Sequence, residues 1–151
     1  MKDVVCVTGG SGGIGQALLE QLVDLYEVKA LFRSKNDISE KWTRRRCIAV
    51  WGDLTDENAL SELVAGARFV FHCAAITQGS FQQSYAINVE GTRRLARLAA
   101  SHGCQRFIHI SSVAVYGDAS DCVEEAELRE RSDMATYGLT KLQSEHALKQ
   151  T

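Results

Sequence analysis

A tyrosine and a lysine four residues apart could form an acid–base pair in this chain of 151 residues. The stretch TYGLTK places Tyr137 and Lys141 at positions i and i+4, which lie on one face of a helix. A phenol with an unperturbed pKa of about 10 exchanges protons poorly at neutral pH, and a nearby ammonium group lowers that pKa. The pair is therefore suited to exchanging a proton with a carbonyl or an alcohol.

Two serines precede this pair in the stretch RFIHISS, which is rich in β-branched and aromatic residues. This pattern predicts a strand at 106–112 that ends with Ser111 and Ser112. Ligands of doubly wound sheets bind at the carboxyl ends of the strands, so a hydroxyl there is placed for ligand contact. Alone, two serines indicate a turn and a Tyr/Lys pair indicates a surface contact. Their order and placement together favour a site.

Five glycines are crowded into VTGGSGGIGQALLEQL, between a β-branched run and regularly spaced leucines. Gly9, Gly12 and Gly15 are three residues apart. A loop whose backbone touches a phosphate cannot carry Cβ atoms at the contact points, and the helix that follows offers its unpaired N–H groups to the anion. The stretch predicts a dinucleotide-binding loop, and the alternative is a tight turn packed by glycine without a ligand.

The end of the second predicted strand, ALFRSKND, bears on the choice of cofactor. An acidic residue at this position usually binds the ribose hydroxyls of NAD, whereas an arginine accommodates the 2′-phosphate of NADP. Arg33 occupies the position and favours NADP, with NAD as the other possibility. Two alternatives stay open, namely that Asp37 binds the ribose or that Arg33 stacks on the adenine.

Short β-branched or aromatic runs alternate with longer segments of helical period along the whole chain. This alternation is typical of βαβ units and a parallel sheet, so the predicted fold class is α/β, a doubly wound parallel sheet of about five strands. No repeat or linker divides the chain, which predicts one domain over 1–151. The predicted strands are 4–8, 27–33, 47–52, 68–74 and 106–112, and the predicted helices are 13–25, 56–65, 82–101 and 134–150.

Composition limits the environment and the partners. The chain is 45% apolar and 24% charged with a net charge of −2, which is ordinary for a soluble globular protein and gives no reason to expect nucleic acid. The five cysteines lack the spacing of a zinc site, and no metal is expected. Without a signal peptide or a membrane-length apolar stretch, a cytoplasmic location is predicted. The acidic stretch 118–133 is expected to be a solvated connection.

The motifs, in this order, resemble the N-terminal part of an extended short-chain dehydrogenase/reductase, the NAD(P)-dependent epimerase/dehydratase-like family. TGGSGGIG is similar to the family's TGxxGxxG loop, and GDLTD is similar to its Asp-Leu segment. HCAAIT resembles the stretch after the fourth strand, and NVEGT resembles the helix segment with the family's asparagine. SSVAVYG and YGLTK resemble its serine strand and its YxxxK motif. The resemblance covers essentially the whole chain and implies a Rossmann-like fold.

The resemblance also implies roles for particular residues. Tyr137 is the implied general acid/base, and Lys141 is implied to bind the nicotinamide ribose and lower the pKa of the phenol. Ser112 is implied to position the reacting oxygen because it stands four residues before Tyr116, and Ser111 remains the alternative. The expected cofactor-binding residues are Gly9, Gly12, Gly13, Ile14, Gly15, Arg33, Asp53, Leu54, Ala74, Ala75, Asn88, Tyr137 and Lys141.

The two residues after Ser112 limit the types of reaction that the resemblance implies. Family dehydratases carry an Asp-Glu pair there, whereas this chain has Val113 and Ala114, which disfavours dehydration. What remains is reversible hydride transfer to a carbonyl or alcohol, as net reduction or as the first half of an epimerisation. The resemblance implies a small carbonyl compound or a sugar nucleotide as the substrate.

Family members continue well beyond this length, with further sheet strands and a C-terminal substrate domain. A truncated chain is therefore expected, and two functions stay open. One is an NAD(P)-dependent oxidoreductase or epimerase, and the other is a nucleotide-binding module without catalytic activity of its own. The resemblance also implies self-association through the helices at 82–101 and 134–150, which often pair across a dimer interface in the family.

Overall fold

The protein is described by a computed structural model that covers residues 2–38, 40, 42, 45, 47–117, 130 and 134–151. The strands of this part are β1 (Val4–Thr8), β2 (Glu27–Phe32), β3 (Cys47–Trp51), β4 (Ala67–His72) and β5 (Arg106–His109). The longer helices are α1 (Gly13–Leu22), α2 (Glu57–Val64), α3 (Thr92–Ser101) and α4 (Thr136–Lys149). A helical turn (Phe81–Ser84) and a π-helical segment (Tyr85–Gly91) precede α3, and short 3₁₀ helices span Lys35–Asp37 and Val113–Tyr116.

These elements belong to two compact units of the chain. The sheet unit consists of Met1–Ala74 and Arg94–Ile110. The helical unit consists of Ala75–Arg93 and Ser111–Thr151. The acidic stretch 118–133, for which a solvated connection was predicted, lies outside the described residues except for Glu130.

The sheet unit contains one parallel sheet with the strand order β3-β2-β1-β4-β5. The chain moves outward from β1 in one direction and then restarts on the other side of β1 with β4. This reversal is the switch point at which open α/β sheets bind ligands, beyond the carboxyl ends of the strands. The predicted five-stranded, Rossmann-like fold class is therefore confirmed.

Alternation along β1 explains why the sheet is covered on both faces. Val5 and Val7 are fully buried and belong to one apolar cluster with Leu19 of α1. Cys6, between them in sequence, points to the other face and donates a hydrogen bond from its thiol to the carbonyl oxygen of Leu63 in α2, at 2.8 Å. The two helices thus cover opposite faces, as a doubly wound sheet requires.

Lys29 in β2 makes polar contacts with the end of a helix. Its ammonium group reaches the last turn of α2 and donates to the carbonyl oxygens of Glu62 and Ala65, at 3.0 and 2.8 Å. A cation at this position interacts favourably with the negative end of the helix dipole. Lys29 therefore joins β2 to the end of α2.

Several predicted boundaries differ from the structure. The strands predicted at 68–74 and 106–112 are β4 (Ala67–His72) and β5 (Arg106–His109), so Ser111 and Ser112 follow β5 and do not belong to it. The predicted strand 47–52 stops at Trp51, and Gly52 follows with a φ of 155°, outside the range of a regular strand. The predicted helix 82–101 begins at Phe81 and is interrupted by the π-helical segment. A wider turn of this kind does not disturb the apolar pattern enough to be visible in the sequence.

The described cysteines are free thiols, namely Cys6, Cys47, Cys73 and Cys104. Among the residues that the structure covers, no helix is long and apolar enough to cross a membrane. The same residues hold no cluster of three or more His, Cys, Asp or Glu side chains that could bind a metal ion.

We expect the free energy of unfolding to fall at alkaline pH because of the two most buried thiols. Burial raises the pKa of Cys6 to about 12 and that of Cys47 to about 11, from an ordinary value of 9.0. Above pH 9 the unfolded chain loses these protons while the folded chain keeps them, so the free energy of unfolding falls as pH rises. The expected slope is about 1.4 kcal/mol per pH unit for each thiol. Urea unfolding at pH 8 and pH 10.5 would measure it. Cys47→Ala should flatten the dependence, and an unchanged slope in that variant would contradict the prediction.

Candidate functional site

The glycine loop lies between β1 and α1, and two of its glycines are required by the protein's own packing. Gly9 takes a φ of 73°, and a Cβ atom there would lie 2.8 Å from the backbone nitrogen of Ala74. A Cβ atom on Gly15 would overlap the carbonyl oxygen of Gly9. These positions exclude any side chain, whether or not a ligand is bound.

The two glycines at the start of α1 are different, because the protein leaves space beside them. A Cβ atom on Gly12 would lie 3.4 Å from the carbonyl oxygen of Gly9, and one on Gly13 would meet no protein atom within 4 Å. Gly12 is the N-cap residue and provides no side-chain hydrogen bond to the helix. The first turn of α1, all of which the structure describes, contains no acidic residue. The helix therefore offers its N-terminal amides and the positive end of its dipole to open space.

This space fits the pyrophosphate of a dinucleotide. An anion can approach the backbone there because neither Gly12 nor Gly13 carries a side chain. Ile14 follows at the surface, with 55% of its area exposed. The glycine count alone could not separate Gly9 and Gly15, which serve packing, from Gly13, which leaves room for a ligand.

Thr8 fixes the end of β1 to the segment after β4. Its hydroxyl lies 2.7 Å from Nδ1 of His72 and accepts the backbone N–H of Ala74 at 3.2 Å. Both Thr8 and His72 are fully buried. The sequence indicated Ala74 as a cofactor contact and Thr8 as the first residue of the glycine motif, but it did not indicate the hydrogen bond between them.

Arg33 and Asp53 follow the neighbouring strands β2 and β3 and bring opposite charges to this end of the sheet. Asp53 accepts hydrogen bonds from the backbone and the hydroxyl of Thr55, at 2.7 and 2.5 Å. These bonds lower the pKa of Asp53, and the charge of exposed Arg33 lowers it further. The carboxylate is therefore ionised at neutral pH.

Leu54, next in the chain, is buried, and its carbonyl oxygen accepts a hydrogen bond of 2.8 Å from the guanidinium group of Arg94. Arg94 thus holds the Asp-Leu turn from α3, although it lies 40 residues away in sequence. Nothing in the spacing of the sequence indicated this contact.

In the helical unit, Tyr137 lies in the first turn of α4 and Lys141 follows one turn later. Lys141 is only 2% exposed, and Tyr137 is half-buried. Two hydroxyl groups donate hydrogen bonds to the backbone of the pair. Thr140 donates to the carbonyl oxygen of Tyr137 at 3.1 Å, and Ser144 donates to the carbonyl oxygen of Lys141 at 2.6 Å. Tyr137 and Lys141 therefore lie on one face of α4, as predicted.

Asn88 lies within the π-helical segment and uses its amide group inside the helical unit. Its Oδ1 atom accepts the backbone N–H of Ile76 at 2.9 Å, and its Nδ2 atom donates to the carbonyl oxygen of Ile76 at 2.9 Å. The same nitrogen donates to the hydroxyl of Thr140 at 3.1 Å. Asn88 therefore joins the segment after Ala75 to the helix that carries the tyrosine.

The structure distinguishes the two serines. The hydroxyl oxygen of Ser112 accepts the backbone N–H of Ala114 at 3.2 Å and caps the 3₁₀ helix. Ser111 instead donates its hydroxyl hydrogen to the carboxylate of Glu145 in α4. Glu145 was not identified from the sequence.

The predicted residues fall into two groups. The glycine loop, Arg33, Asp53, Leu54 and Ala74 belong to the sheet unit. The helical unit contains Ala75, Asn88, Ser112, Tyr137 and Lys141. Their direct contact with a cofactor or substrate stays a prediction.

A sheet with this strand order and a glycine loop after β1 defines a dinucleotide-binding Rossmann protein. Residues 5–151 match the model of the NAD dependent epimerase/dehydratase family. The chain belongs to this family.

Relatives and solved structures of the family agree with this assignment. The chain is 33% identical to a 3-beta-hydroxysteroid dehydrogenase of Mycolicibacterium neoaurum over 79% of its own length and 34% of the relative. It is 35% identical to UDP-glucose 4-epimerase 2 of Oryza sativa subsp. japonica over 91% of its length and 38% of that protein.

The crystal structure of a short-chain dehydrogenase/reductase superfamily protein from Agrobacterium tumefaciens with bound NAD is similar in fold. The TM-score is 0.81 at 29% identity, and the match covers 97% of this chain and 44% of that one. The chain therefore spans between a third and a half of the length of the proteins it matches.

Proposed function

We propose that the protein binds a nicotinamide dinucleotide at the glycine loop and supports reversible hydride transfer between that cofactor and a carbonyl or alcohol substrate. The observation that carries this proposal is the open space beside Gly13 at a helix N-terminus that has no side-chain cap. The bound nicotinamide would supply or accept the hydride. The roles proposed below belong to side chains of this chain.

Tyr137 is the acid–base residue in this proposal. Its phenol would give a proton to the carbonyl oxygen during reduction and take it back during oxidation. Lys141, buried and one turn later in α4, would bind the nicotinamide ribose. Ser112 would donate its hydroxyl hydrogen to the same oxygen, because its own oxygen already accepts the N–H of Ala114.

The class of substrate follows from the residues beside Ser112 and from the family. Val113 and Ala114 provide no carboxylate for the elimination of water, so we propose reduction or epimerisation and not dehydration. Relatives named as a hydroxysteroid dehydrogenase and a UDP-glucose epimerase support both a small ketone and a sugar nucleotide as candidates.

The reaction is tested with purified protein and NADPH or NADH, by following absorbance at 340 nm with a panel of ketones, aldehydes and steroids. Epimerisation is tested separately with UDP-glucose and UDP-galactose by chromatography. Turnover in either assay is the expected result. Dinucleotide binding without turnover in both would support the other function, a nucleotide-binding module without its own activity.

Arg33 predicts the cofactor preference. Its exposed guanidinium group at the end of β2 could pair with the 2′-phosphate of NADP, so Arg33→Ala should weaken NADP⁺ binding by roughly 10- to 100-fold. The affinity for NAD⁺ should be unchanged, because NAD⁺ has no phosphate at this position. Lys35→Ala, which removes a neighbouring charge, is the control and should have a much smaller effect. Equal losses in both variants, or a wild type that prefers NAD⁺, would contradict the assignment.

We further propose, from the resemblance of the helical segments to the family, that the chain self-associates and functions as one dinucleotide-binding domain in the cytoplasm. Sedimentation that shows only monomer at high concentration would refute the self-association.

A further inference from the structure

We propose that Glu145 is a positioning residue for the predicted catalytic serine and acts through the hydroxyl of Ser111. This inference rests on the proposed function, since it concerns which serine serves the reacting oxygen. It assigns a role to a carboxylate that neither the motifs nor the proposed reaction uses.

The contact joins two segments that are distant in sequence. Ser111 donates its hydroxyl hydrogen to the Oε1 atom of Glu145, which lies 34 residues later in the middle of α4. Both residues are half-buried, so solvent competes less for the hydrogen bond than it would at the surface. A hydrogen bond to a carboxylate is roughly twice as strong as one between neutral groups.

A second contact lies on the same face of α4. Gly138 approaches the 3₁₀ helix so closely that a Cβ atom would overlap the carbonyl oxygen of Ala114. Gly138, Lys141 and Glu145 stand at i, i+3 and i+7, which share one helix face. Buried Lys141 thus lies between the two points at which α4 meets the segment of the serines.

The hydrogen bonds of the two serines differ in whether the hydroxyl hydrogen is already donated. A serine hydroxyl has one hydrogen to donate, and Ser111 gives it to Glu145. Ser112 accepts from the N–H of Ala114, which leaves its own hydrogen available for an oxygen atom of a substrate. Glu145 therefore binds the hydroxyl of Ser111, which would otherwise compete with Ser112 for the substrate oxygen. It also holds the backbone next to Ser112 in place.

The amide hydrogen of Ala114 reports on this arrangement directly, because its acceptor is the hydroxyl oxygen of Ser112. Hydrogen exchange of this amide, followed by NMR in the full chain without cofactor, should be roughly five- to tenfold faster in Glu145→Ala and in Ser111→Ala. Glu145→Gln should retain slow exchange, since its side-chain carbonyl can accept the same hydroxyl hydrogen. The double variant should exchange no faster than either single variant.

Two controls separate positioning from a general loss of stability. The amide of Val7 in the sheet should be unchanged in every variant, and Lys149→Ala on the exposed end of α4 should leave Ala114 unchanged. The inference is overturned if Glu145→Ala leaves the Ala114 amide as it is, or if it accelerates Val7 equally. It is also overturned if only Glu145→Ala has an effect and Ser111→Ala has none, because Glu145 would then not act through Ser111.

The outcome is independent of cofactor binding, which calorimetry measures on the same samples. Failure of the wild type to bind NAD⁺ or NADP⁺ would overturn the proposed function whatever the exchange rates show. Normal binding with unaltered Ala114 exchange would overturn only the role of Glu145.

Discussion

Gly13→Ala is expected to keep the unfolding temperature of the protein while its affinity for nicotinamide dinucleotides falls by roughly 10- to 100-fold. An added methyl group meets no protein atom within 4 Å, so the folded chain accommodates it. The same methyl group would occupy the space in which a pyrophosphate approaches the backbone, and overpacking of this kind costs about 1–3 kcal/mol. Calorimetric unfolding and equilibrium dialysis measure the two quantities.

Gly15→Ala is the matched control, because it adds the same methyl group two residues later. There the methyl group would overlap the carbonyl oxygen of Gly9, and the loop must move. A loss of about 1–3 kcal/mol in the free energy of unfolding is expected, together with the loss of binding. If Gly13→Ala binds dinucleotides as well as the wild type does, the open space is not where the phosphates lie.

Tyr137→Phe is expected to lower turnover by roughly 10²- to 10⁴-fold, the usual contribution of a general acid or base. The substitution keeps the half-buried ring in α4 and removes only the hydroxyl, so the unfolding temperature should stay unchanged and the loss of turnover should persist at saturating dinucleotide. Steady-state rates at saturating cofactor, with whichever substrate the wild type turns over, measure the effect.

Tyr116→Phe is the control for this change. It removes a hydroxyl from another half-buried tyrosine of the same unit and should leave the rate nearly unchanged. Equal rates in the wild type and in Tyr137→Phe would show that the phenol is not the acid–base group. A deficit that is equally large in both variants would indicate a structural effect instead.

The sheet could be predicted closely because the local sequence determines its strands. The run VVCVT is buried and ends at a glycine with positive φ, so β1 was predicted with the bounds it has in the structure. The start of α1 at Gly13 follows from the same glycines. Local signals of this kind do not depend on the rest of the chain.

The contacts that hold the candidate site in place could not be predicted, because their partners are far apart in sequence. The bond from Ser111 to Glu145 spans 34 residues, and the one from Arg94 to Leu54 spans 40. The sequence indicated Asn88 as a cofactor ligand, but only the folded structure shows that its amide group binds Ile76 and Thr140. Motifs identify the type of chemistry, whereas the supporting hydrogen bonds depend on the folded chain.

The central claim is that the glycine loop binds a dinucleotide. Isothermal titration calorimetry of the wild type and of Gly13→Ala, each with NADP⁺ and with NAD⁺, tests it most directly. Saturable binding of at least one dinucleotide by the wild type, with a much weaker signal from an equally stable Gly13→Ala, is the predicted result. A folded wild type that binds neither dinucleotide would contradict the claim.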